Sequence, residues 1–407
     1  MSEWKRYKLG ELLRVKHGWA FKGEFFSDTG VQSILTPGNF YESGGFKANP
    51  SKDRFYSGDY PKEYLCSKGD LVVAMTEQAA GLLGSTAIVP EDNRYLHNQR
   101  IGLISCNKSL NKDFAYYLFM TQSVRQQISR SASGTKVKHT SPEKIYDVQV
   151  DIPKIQTQKN IAIFLSILDK KIQINNQINQ ELEDMAKTLY DYWFVQFDFP
   201  DQNGKPYKSS GGKIVYNPEL KREIPEGWGV EKLGDITICH DSKRVPLSSN
   251  DRELVKGEIP YYGATGIMDY VNDYIFDGDY VLMAEDGSVM TEKGTPILQR
   301  ISGKNWVNNH AHVLEPVKNH SCKLLMMLLK DVSVIQIKTG SIQMKINQEN
   351  MNKIVVPAIP LELLFEINQK LEVIDKQQLN LIEENKQLTQ LRDWLLPMLM
   401  NGQVKVE

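Results

Sequence analysis

A basic segment that contains glycine is the part of the sequence best suited to bind phosphate groups. Residues 125–144 (RQQISRSASGTKVKHTSPEK) hold five basic side chains and one acid, Glu143. Residues 338–345 (KTGSIQMK) repeat this layout with a lysine at either end. Lysine side chains and backbone N–H groups in such loops contact the phosphates of nucleic acids. The alternative is a solvated surface loop of the same composition. The five basic residues of the first segment are Arg125, Arg130, Lys136, Lys138 and Lys144.

Polar clusters elsewhere in the chain carry side chains that can recognise base edges. Arginine and lysine bind guanine in the major groove, and asparagine and glutamine bind adenine. Each cluster alone is a weak signal, because internal hydrogen bonding is the usual role of such loop residues. With the two basic loops, the clusters give these predicted DNA-binding residues: Trp19, Lys22, Thr76, Gln78, Asn98, Gln99, Arg100, Lys136, Lys138, His139, Lys243, Arg244, Tyr262, Thr265, Asn309, His310, Ser341, Gln343 and Lys345.

Sequence signatures of catalysis are absent. The chain contains no GxxxxGK[ST] phosphate loop, no GxGxxG after a predicted strand and no HExxH. The Asn/Asp-Pro-Pro-Tyr tetrapeptide of adenine methyltransferases is also missing. His310 and His312 alternate in a predicted strand, so both side chains point to one face and could bind a metal. No third ligand is convincing, and we predict neither a catalytic nor a metal site.

The sequence is an internal duplication, which determines the architecture. Four matches in the same order are hard to explain by chance. The matching pairs are WKRYKLGE (4–11) with WGVEKLGD (228–235), KGDLVVAM (68–75) with DGDYVLMA (277–284), SG (133–134) with TG (339–340), and LDK (168–170) with IDK (374–376).

Each copy begins with a β-rich part, in which short β-branched and aromatic runs alternate with turn residues. A helix is predicted over residues 111–131 of the first copy. The predicted fold class is therefore α+β. Predicted strands lie at 70–75, 86–89 and 148–152, with counterparts in the second copy at 280–283, 312–314 and 354–356.

Each copy ends in a long helix with a heptad pattern. Apolar residues recur at seven-residue intervals from Ile367 to Leu395, and the same register reappears from Ile161 to Leu189. Neither helix can bury its apolar seam alone, so we predict that the two pair as an antiparallel intramolecular coiled coil. The predicted pairing residues are Leu168, Ile172, Leu182, Leu189, Ile367, Leu371, Ile374, Leu381 and Leu388.

The middle of this predicted seam is polar. Asn175, Asn179, Gln378 and Asn385 occupy heptad core positions, where polar side chains can fix the register of a coiled coil. The alternative is that the pattern drifts and leaves them exposed. Both helices follow an Ile-Pro pair, and Pro397 is predicted to end the second.

Composition excludes several classes of protein. The chain has 407 residues, 41% hydrophobic and 24% charged, which fits a globular protein of two or three domains. A net charge of −1 excludes a generally basic DNA-coating protein but leaves room for a local basic surface. Neither a transmembrane helix nor a signal peptide is predicted. The four cysteines are far apart and fit free thiols in the cytoplasm.

The whole chain resembles the specificity subunits of type I restriction-modification systems. The resemblance rests on the doubled W-x-x-x-K-L-G start, the strands KGDLVVAMTE and DGDYVLMAED, and the glycine loop before each Ile-Pro helix start. The central segment at 182–228, LEDMAKTLYDYWFVQFDFPDQNGKPYKSSGGKIVYNPELKREIPEGW, is particularly similar to the central connection of that family.

The resemblance implies two target recognition domains and a two-helix spacer. It implies that the subunit binds double-stranded DNA and has neither catalysis nor a cofactor of its own. Two modification subunits would methylate adenine N6 with S-adenosylmethionine, and two restriction subunits using ATP and Mg²⁺ can join. The implied boundaries are 1–152 and 225–358 for the recognition domains, 153–197 and 359–400 for the helices, and 198–224 for a linker.

We therefore predict a cytoplasmic subunit that recognises a bipartite, asymmetric DNA target. The asymmetry follows from the different loop sequences of the two copies. A coiled-coil scaffold that does not bind DNA is one alternative, against which the doubled basic loop argues. A fused enzyme is another, which the missing active-site motifs oppose. Replacing Lys136 and Lys138 with alanine should weaken binding to all sequences and reduce its salt dependence.

Overall fold

The computed structural model describes residues 4–48, 52–134, 137–340 and 344–406. The chain forms two compact units, Met1–Ile174 with Asn385–Glu407, and Asn175–Glu384. Each unit contains one β-rich domain and part of both long helices. Within the described residues, no helix is both long and apolar enough to cross a membrane.

The first β-rich domain is built on two four-stranded sheets and a terminal strand pair. The sheet orders are β2-β9-β6-β7 and β3-β5-β4-β8, and β1 pairs with β10. The elements are β1 (Lys5–Lys8), α1 (Leu9–Leu12), β2 (Leu13–His17), β3 (Phe26–Ser27), β4 (Ser33–Ile34), β5 (Phe55–Tyr56), β6 (Leu71–Ala74), β7 (Thr86–Ile88), β8 (Tyr95–Leu96), β9 (Ile101–Cys106), α2 (Lys112–Met120), α3 (Gln122–Ser131), α4 (Pro142–Tyr146), β10 (Gln149–Ile152) and α5 (Ile155–Tyr190).

The second β-rich domain repeats this plan. The sheet β14-β21-β18-β19 corresponds to β2-β9-β6-β7, and β13 pairs with β22 as β1 pairs with β10. Its other sheet is β16-β15-β20-β17, and β11 pairs with β12 in the segment that precedes the domain. The elements are β11 (Ile214–Asn217), β12 (Arg222–Pro225), β13 (Gly229–Lys232), α6 (Leu233–Ile236), β14 (Thr237–Cys239), α7 (Ser249–Leu254), β15 (Lys256–Tyr262), β16 (Ile267–Val271), β17 (Phe276–Asp277), β18 (Tyr280–Ala284), β19 (Leu298–Ile301), β20 (Lys304–Val307), β21 (Ala311–Pro316), α8 (Cys322–Leu329), α9 (Gln348–Asn352), β22 (Val355–Ala358) and α10 (Leu361–Met400).

The predicted pairing of the two long helices is confirmed. Asp169 of α5 binds Arg392 of α10 at 2.9 Å. Further along α5, the Asn179 carbonyl accepts a hydrogen bond of 3.1 Å from Gln378. As residue numbers increase along α5, the numbers of their partners in α10 decrease, which is the pattern of an antiparallel coiled coil. The predicted pairing residues are all buried or half-buried.

The polar middle of the seam is also confirmed. Asn175 is fully buried and donates to Glu384 at 2.7 Å. Asn179, Gln378 and Asn385 are half-buried at the predicted core positions. These polar pairs suit a register-fixing role, because a shift of one heptad would separate them.

The prediction that Pro397 ends the second helix is wrong. The helix α10 continues through Pro397 to Met400. Proline removes one hydrogen bond to the preceding turn, but Leu399 and Met400 are buried in the core of the first unit and keep the turn in place. The chain leaves the helix at Gly402, whose φ of +77° is a left-handed conformation that favours glycine.

Two smaller predictions also need correction. The single helix expected over 111–131 is two helices, α2 and α3, separated at Thr121, where ψ is 142°. All six predicted strands are confirmed, but 86–89 and 312–314 are not counterparts, because β7 corresponds to β19, the strand at the same edge of the equivalent sheet. The run at 312–314 belongs to β21, which corresponds to β9.

The predicted linker is folded. The strands β11 and β12 form a hairpin, and Phe199 is buried between two other aromatic rings. Its ring stacks on Tyr207 at 4.8 Å and on Trp228 at 5.4 Å. The glycines and serines that resemble a flexible linker instead make the turns of a packed segment.

Candidate nucleic-acid interface

In the first domain, three segments meet where β6 ends. The backbone N–H of Met75 donates to the carbonyl of Arg100 at 2.9 Å, and the Thr140 N–H donates to the Met75 carbonyl at 2.9 Å. Two residues further along the chain, the Glu77 N–H donates to the Lys138 carbonyl at 2.9 Å. The segment 97–100 and the basic loop are therefore both fastened to the same strand end. We call this arrangement the first junction.

The second domain makes the same connections at the end of β18. The Glu285 N–H donates to the His310 carbonyl at 2.9 Å, and the Ile346 N–H donates to the Glu285 carbonyl at 2.8 Å. The Gly287 N–H donates to the Met344 carbonyl at 3.1 Å. This second junction shows which residues of the two copies are structurally equivalent. Met75 corresponds to Glu285, so the two strand motifs are shifted by one residue from their pairing in the sequence.

Both basic loops close in the same way. Ser133 and His139 exchange two backbone hydrogen bonds, of 2.9 and 2.7 Å, and Thr339 and Lys345 exchange two of 2.7 and 2.9 Å. The glycine that follows the first residue of each pair has a positive φ, of +103° and +79°. Substitution there would be strained, because only glycine adopts such a φ without cost.

The side chains of the first junction surround an open recess. Its volume is about 450 Å³. The ring Nδ1 of His139 lies 3.1 Å from the hydroxyl of Thr76, which fixes one wall. Four of the predicted DNA-binding residues meet here: Thr76, Gln99, Arg100 and His139. The recess is lined by His17, Gly18, Ala20, Met75, Thr76, Gln99, Arg100, His139 and Thr140.

The second junction is filled by ion pairs. The Arg244 guanidinium binds Glu285 at 2.6 Å and Asp241 at 3.1 Å. Lys345 binds the other oxygen of Glu285 at 3.0 Å. His312 is buried and hydrogen-bonded to Asp241. The predicted residues Arg244 and Lys345 thus share the carboxylate of Glu285. Arg244, bound to two carboxylates, stabilises the junction.

These contacts change the acidity of the buried groups. Burial raises the pKa of Asp241, but the hydrogen bond from His312 and the charge of Arg244 lower it by a larger amount. The net pKa therefore lies below its usual value. Burial likewise opposes ionisation of Glu285, but Arg244 and Lys345 bring the net pKa below normal. Both carboxylates are therefore charged at neutral pH.

One trio in the described residues could hold a metal ion by geometry. Ligand atoms of Cys239, Asp241 and His312 all lie within 4.8 Å of one another. Burial and the charge of Asp241 raise the pKa of the Cys239 thiol to about 12, so the thiol is protonated at neutral pH. The Arg244 guanidinium also occupies the Asp241 carboxylate. The trio fits a hydrogen-bonded network better than a cation site.

The other predicted residues of the first domain lie around the recess or apart from it. Trp19 is half-buried and stacks on Tyr64, and its backbone pairs with Asn98. The side chain of Asn98 accepts a hydrogen bond of 3.1 Å from the Arg100 N–H. Lys22, Gln78 and Lys138 are exposed. Lys136 lies outside the described residues.

The basic segment contributes fewer free cations than its sequence implies. Arg125 is half-buried and donates to the backbone carbonyls of Glu42 and, at 2.6 Å, Gly81. Burial lowers the pKa of Arg125 to about 10. Lys138 forms an ion pair of 3.9 Å with Glu77 but keeps an exposed side chain. Arg125 is therefore bound within the fold, whereas Arg130 and Lys138 keep exposed side chains.

In the second domain the predicted residues fall into two groups. His310 and Lys345 lie in the junction, where His310 is hydrogen-bonded to Asp286. Lys243, Thr265 and Asn309 are exposed, and Tyr262 is half-buried. The backbone of Tyr262 lies beside the 308–310 segment, because the Asn308 N–H donates to the Tyr262 carbonyl at 3.0 Å. Ser341 and Gln343 lie outside the described residues.

Sequence reasoning missed the acidic half of the second junction and His17 of the first. Basic and amide side chains are the usual sequence signal for contacts with base edges, and Asp241, Glu285 and Asp286 do not carry that signal. A signal was available, because Glu285 and Asp286 directly follow the duplicated strand motif. His17 ends β2 opposite Gly102, which places it at the same sheet edge.

Comparison with known proteins adds the family. The sequence model of the type I restriction modification DNA specificity domain matches residues 1–184 and 225–390. The chain belongs to the type I restriction-modification specificity subunit family. It is the DNA specificity subunit of such a system, and this subunit is itself non-catalytic.

Individual relatives agree in extent. The HindI specificity subunit of Haemophilus influenzae is 23% identical over 99% of this chain and 100% of its own length. The MjaIX specificity subunit of Methanocaldococcus jannaschii is 25% identical over 72% of this chain and 69% of its own. The crystal structure of an S subunit from M. genitalium is 17% identical, covers 98% of this chain and 96% of its own, and has a TM-score of 0.57. That structure supports the fold of the specificity subunit.

Proposed function

We propose that this specificity subunit recognises a bipartite, asymmetric target in double-stranded DNA, with one half read by each β-rich domain. The observation that carries the proposal is the repeated junction. Both domains present three loop segments on the same backbone hydrogen bonds, yet the side chains differ at nearly every equivalent position. A shared frame with different side chains is what two different half-sites require, because base edges are distinguished by their donors and acceptors.

The long helices suit the role of a spacer. The helices α5 and α10 contain 36 and 40 residues. At 1.5 Å per residue, each is roughly 55–60 Å long, which exceeds one turn of DNA at roughly 34 Å. Their polar seam contacts at Asn175 and Gln378 favour one register, so a length set by this pairing would be reproducible.

Apolar side chains exposed on the helices support docking of partner subunits. In the first unit, Ile163 and Ile167 of α5 are one helical turn apart and 59% and 58% exposed. In the second unit, Leu361 and Phe365 of α10 are also one helical turn apart and are 56% and 51% exposed. Neighbouring apolar side chains that stay exposed can mark protein interfaces. One such pair in each unit supports docking of a modification subunit at each.

Catalysis would be performed by those partners. The two modification subunits would transfer a methyl group from S-adenosylmethionine to adenine N6, after extruding the base from the duplex. Two restriction subunits that use ATP and Mg²⁺ can join the same complex for translocation and cleavage. The specificity subunit supplies the grip on the flanking sequence, and we place it in the cytoplasm with its DNA.

A methylation map at base resolution tests the proposal. Cells without other adenine methylation would express this chain with the modification subunit encoded beside it, and control cells would lack this chain. N6-methyladenine should appear at a split, asymmetric motif only when the chain is present. Exchange of residues 1–152 for those of a relative should then change one half of the motif and leave the other half.

Two results would count against the proposal. A palindromic or undivided motif would contradict recognition by two different domains. A soluble complex that neither methylates DNA nor binds it in a competition assay would favour the scaffold alternative. Lys108 offers a matched surface control, since it is exposed beyond the far end of β9 from Arg100, and its change to alanine should leave the map unaltered.

A further inference from the structure

The recess of the first junction has an unusual hydrogen-bonding polarity. Arg100 is its permanently charged lining residue, and its other polar side chains are His17, Thr76, Gln99, His139 and Thr140, with no carboxylate among the residues that line it. An arginine carries five donors and no acceptor, and a neutral histidine carries one donor. The recess therefore presents mainly donors to whatever enters it.

Arg100 is anchored by its backbone and free at its guanidinium. Its N–H donates to the Asn98 side chain at 3.1 Å, and its carbonyl accepts from the Met75 N–H at 2.9 Å. These two bonds hold the backbone of Arg100 from both sides. Across residues 4–48, 52–134, 137–340 and 344–406, no hydrogen bond or ion pair to the guanidinium is found. The side chain of Arg100 is exposed.

The walls of the recess are held in place independently of Arg100. The His139 ring is tied through Nδ1 to Thr76, which leaves Nε2 for a ligand. On the other side, Gly18 lets the chain pass close to the 97–98 backbone, because an added Cβ would lie 2.0 Å from the Asn98 carbonyl oxygen. The fixed wall and the anchored backbone of Arg100 lower the entropic cost of binding, and what remains is the cost of ordering the Arg100 side chain.

We propose that this recess binds the major-groove edge of a guanine in the half-site read by the first domain, with Arg100 as the residue that determines the base. The inference rests on the proposed function and deepens it. Guanine offers two acceptors, N7 and O6, which match the two-pronged guanidinium. Adenine offers N7 beside an amino group, and that amino group would face the donors of Arg100.

The second domain supplies an internal comparison. The residue equivalent to Arg100 is His310, whose ring is bound to Asp286. The residue equivalent to Met75 is Glu285, an acceptor that already binds Arg244 and Lys345. The second junction therefore lacks a free two-pronged donor at this place, and we assign guanine recognition by this device to the first domain.

A DNA phosphate has the same acceptor chemistry as the guanine edge, so the experiment must separate the two. The full complex with its modification subunit would be measured for binding to the methylated motif and to copies in which each guanine is replaced by 7-deazaguanine. This analogue keeps base pairing and removes the N7 acceptor. At one position in the half-site of the first domain, affinity for the wild-type complex should fall between about 5- and 150-fold.

Variants then identify the residue. Arg100→Ala should lose that sensitivity to 7-deazaguanine and relax the methylation motif at the same position, with the other half-site unchanged. Arg100→Gln should move the preference at that position from guanine toward adenine. Lys138→Ala is the matched control on the rim of the same junction, and it should weaken binding to all sequences alike while keeping the motif.

Three outcomes would overturn the inference. A uniform loss of affinity in Arg100→Ala, with a smaller salt dependence and an intact motif, would assign Arg100 to a phosphate. Sensitivity to 7-deazaguanine that persists in Arg100→Ala would assign the guanine to another residue. A half-site of the first domain without guanine would exclude the idea directly. Absence of any motif with the wild-type chain would instead refute the proposed function itself, so the two failures are distinguishable.

Discussion

The two junctions share one backbone frame and differ in chemistry. In the first, Met75 and Thr76 follow the strand, and polar side chains that include Arg100 but no carboxylate surround an open recess. In the second, Glu285 and Asp286 occupy the same two positions, where Glu285 binds Arg244 and Asp286 is hydrogen-bonded to His310. The backbone hydrogen bonds that hold the loops have nearly equal lengths in both.

The comparison shows how one fold can present two unrelated surfaces. The loops are held by backbone N–H and carbonyl groups, which every non-proline residue possesses. The side chains at the strand ends are therefore not needed to hold the loops in place. In the first domain the Arg100 side chain stays exposed, whereas in the second domain Arg244 is held by two carboxylates and stabilises the junction.

The largest effect is expected from breaking the ionic centre of the second junction. The Arg244 side chain is only 10% exposed and lies between Asp241 and Glu285. Arg244→Ala leaves two carboxylates short of a partner, which should cost about 3–5 kcal/mol of unfolding free energy. Denaturant unfolding measures the loss, and hydrogen exchange of β18 localises it.

Arg100→Ala is the matched change in the first junction, and it should alter stability by less than about 0.5 kcal/mol because its guanidinium is exposed and unpaired in the described chain. Replacement of Arg244 and Glu285 together by methionine should recover much of the loss. Equal stability of Arg244→Ala and Arg100→Ala would show that the two junctions do not differ as described.

Low pH should destabilise the second junction more than the first. The pKa values of Asp241 and Glu285 lie below normal in the folded chain. A group with a lowered folded pKa contributes stability above its unfolded pKa, roughly 4, and that contribution is lost as the pH falls through the folded value. The second junction should therefore weaken from about pH 5 downward, by less than Arg244→Ala weakens it.

Hydrogen exchange, corrected for its intrinsic pH dependence, compares equivalent strands in this experiment. The strand β18 should lose protection between pH 6 and pH 3.5, and β6, which is followed by Met75 and Thr76, should lose less. Asp241→Asn should flatten the pH response of β18. A loss in β6 as large as that in β18 would contradict the assignment of acid sensitivity to the second junction.

The architecture was open to prediction because it is written in repeated patterns. The doubled strand motif and the heptads are long, periodic signals, and their counterparts are β6 with β18 and α5 with α10. Places where a local preference opposes tertiary packing were not predictable in the same way. Proline opposes a helix, yet burial of Leu399 and Met400 carries α10 past Pro397.

The candidate interface was predictable by location and not by side-chain state. Sequence pattern brought Thr76, Gln99, Arg100 and His139 into consideration, and the structure lines one recess with all four. Sequence could not show that Arg125 is tied to carbonyls or that Arg244 is tied to carboxylates. The partners of an arginine side chain depend on its neighbours in the tertiary structure, and the sequence does not distinguish a paired arginine from a free one.

The basic loops should differ in their contribution to phosphate attraction. Lys345 is bound at 3.0 Å to Glu285, a nearly buried acid, whereas Lys138 lies 3.9 Å from Glu77. Lys138→Ala should lower the slope of log affinity against log salt by about 0.9 if it contacts one phosphate. Lys345→Ala should lower the slope by less, since its charge is already partly neutralised.

Binding titrations from low to moderate salt check this difference, with Lys108→Ala as the control for general loss of charge. The slope for Lys108→Ala should match that of the wild-type chain. Equal reductions for Lys138→Ala and Lys345→Ala would mean that DNA displaces Glu285 completely, and the two junctions would then be electrostatically alike when bound.

The smallest expected effect concerns the wall of the recess. The hydroxyl of Thr76 is nearly buried and 3.1 Å from Nδ1 of His139. Thr76→Val keeps the shape and removes this neutral hydrogen bond, which should cost about 0.5–1.5 kcal/mol. In a double-mutant cycle with His139→Ala, the coupling energy should fall in the same range, because the two changes remove one shared contact. Coupling near zero would mean that the His139 ring is held by its backbone alone. The first junction would then owe its shape to the frame that both domains share, and the difference between the domains would reduce to the ion pairs of the second.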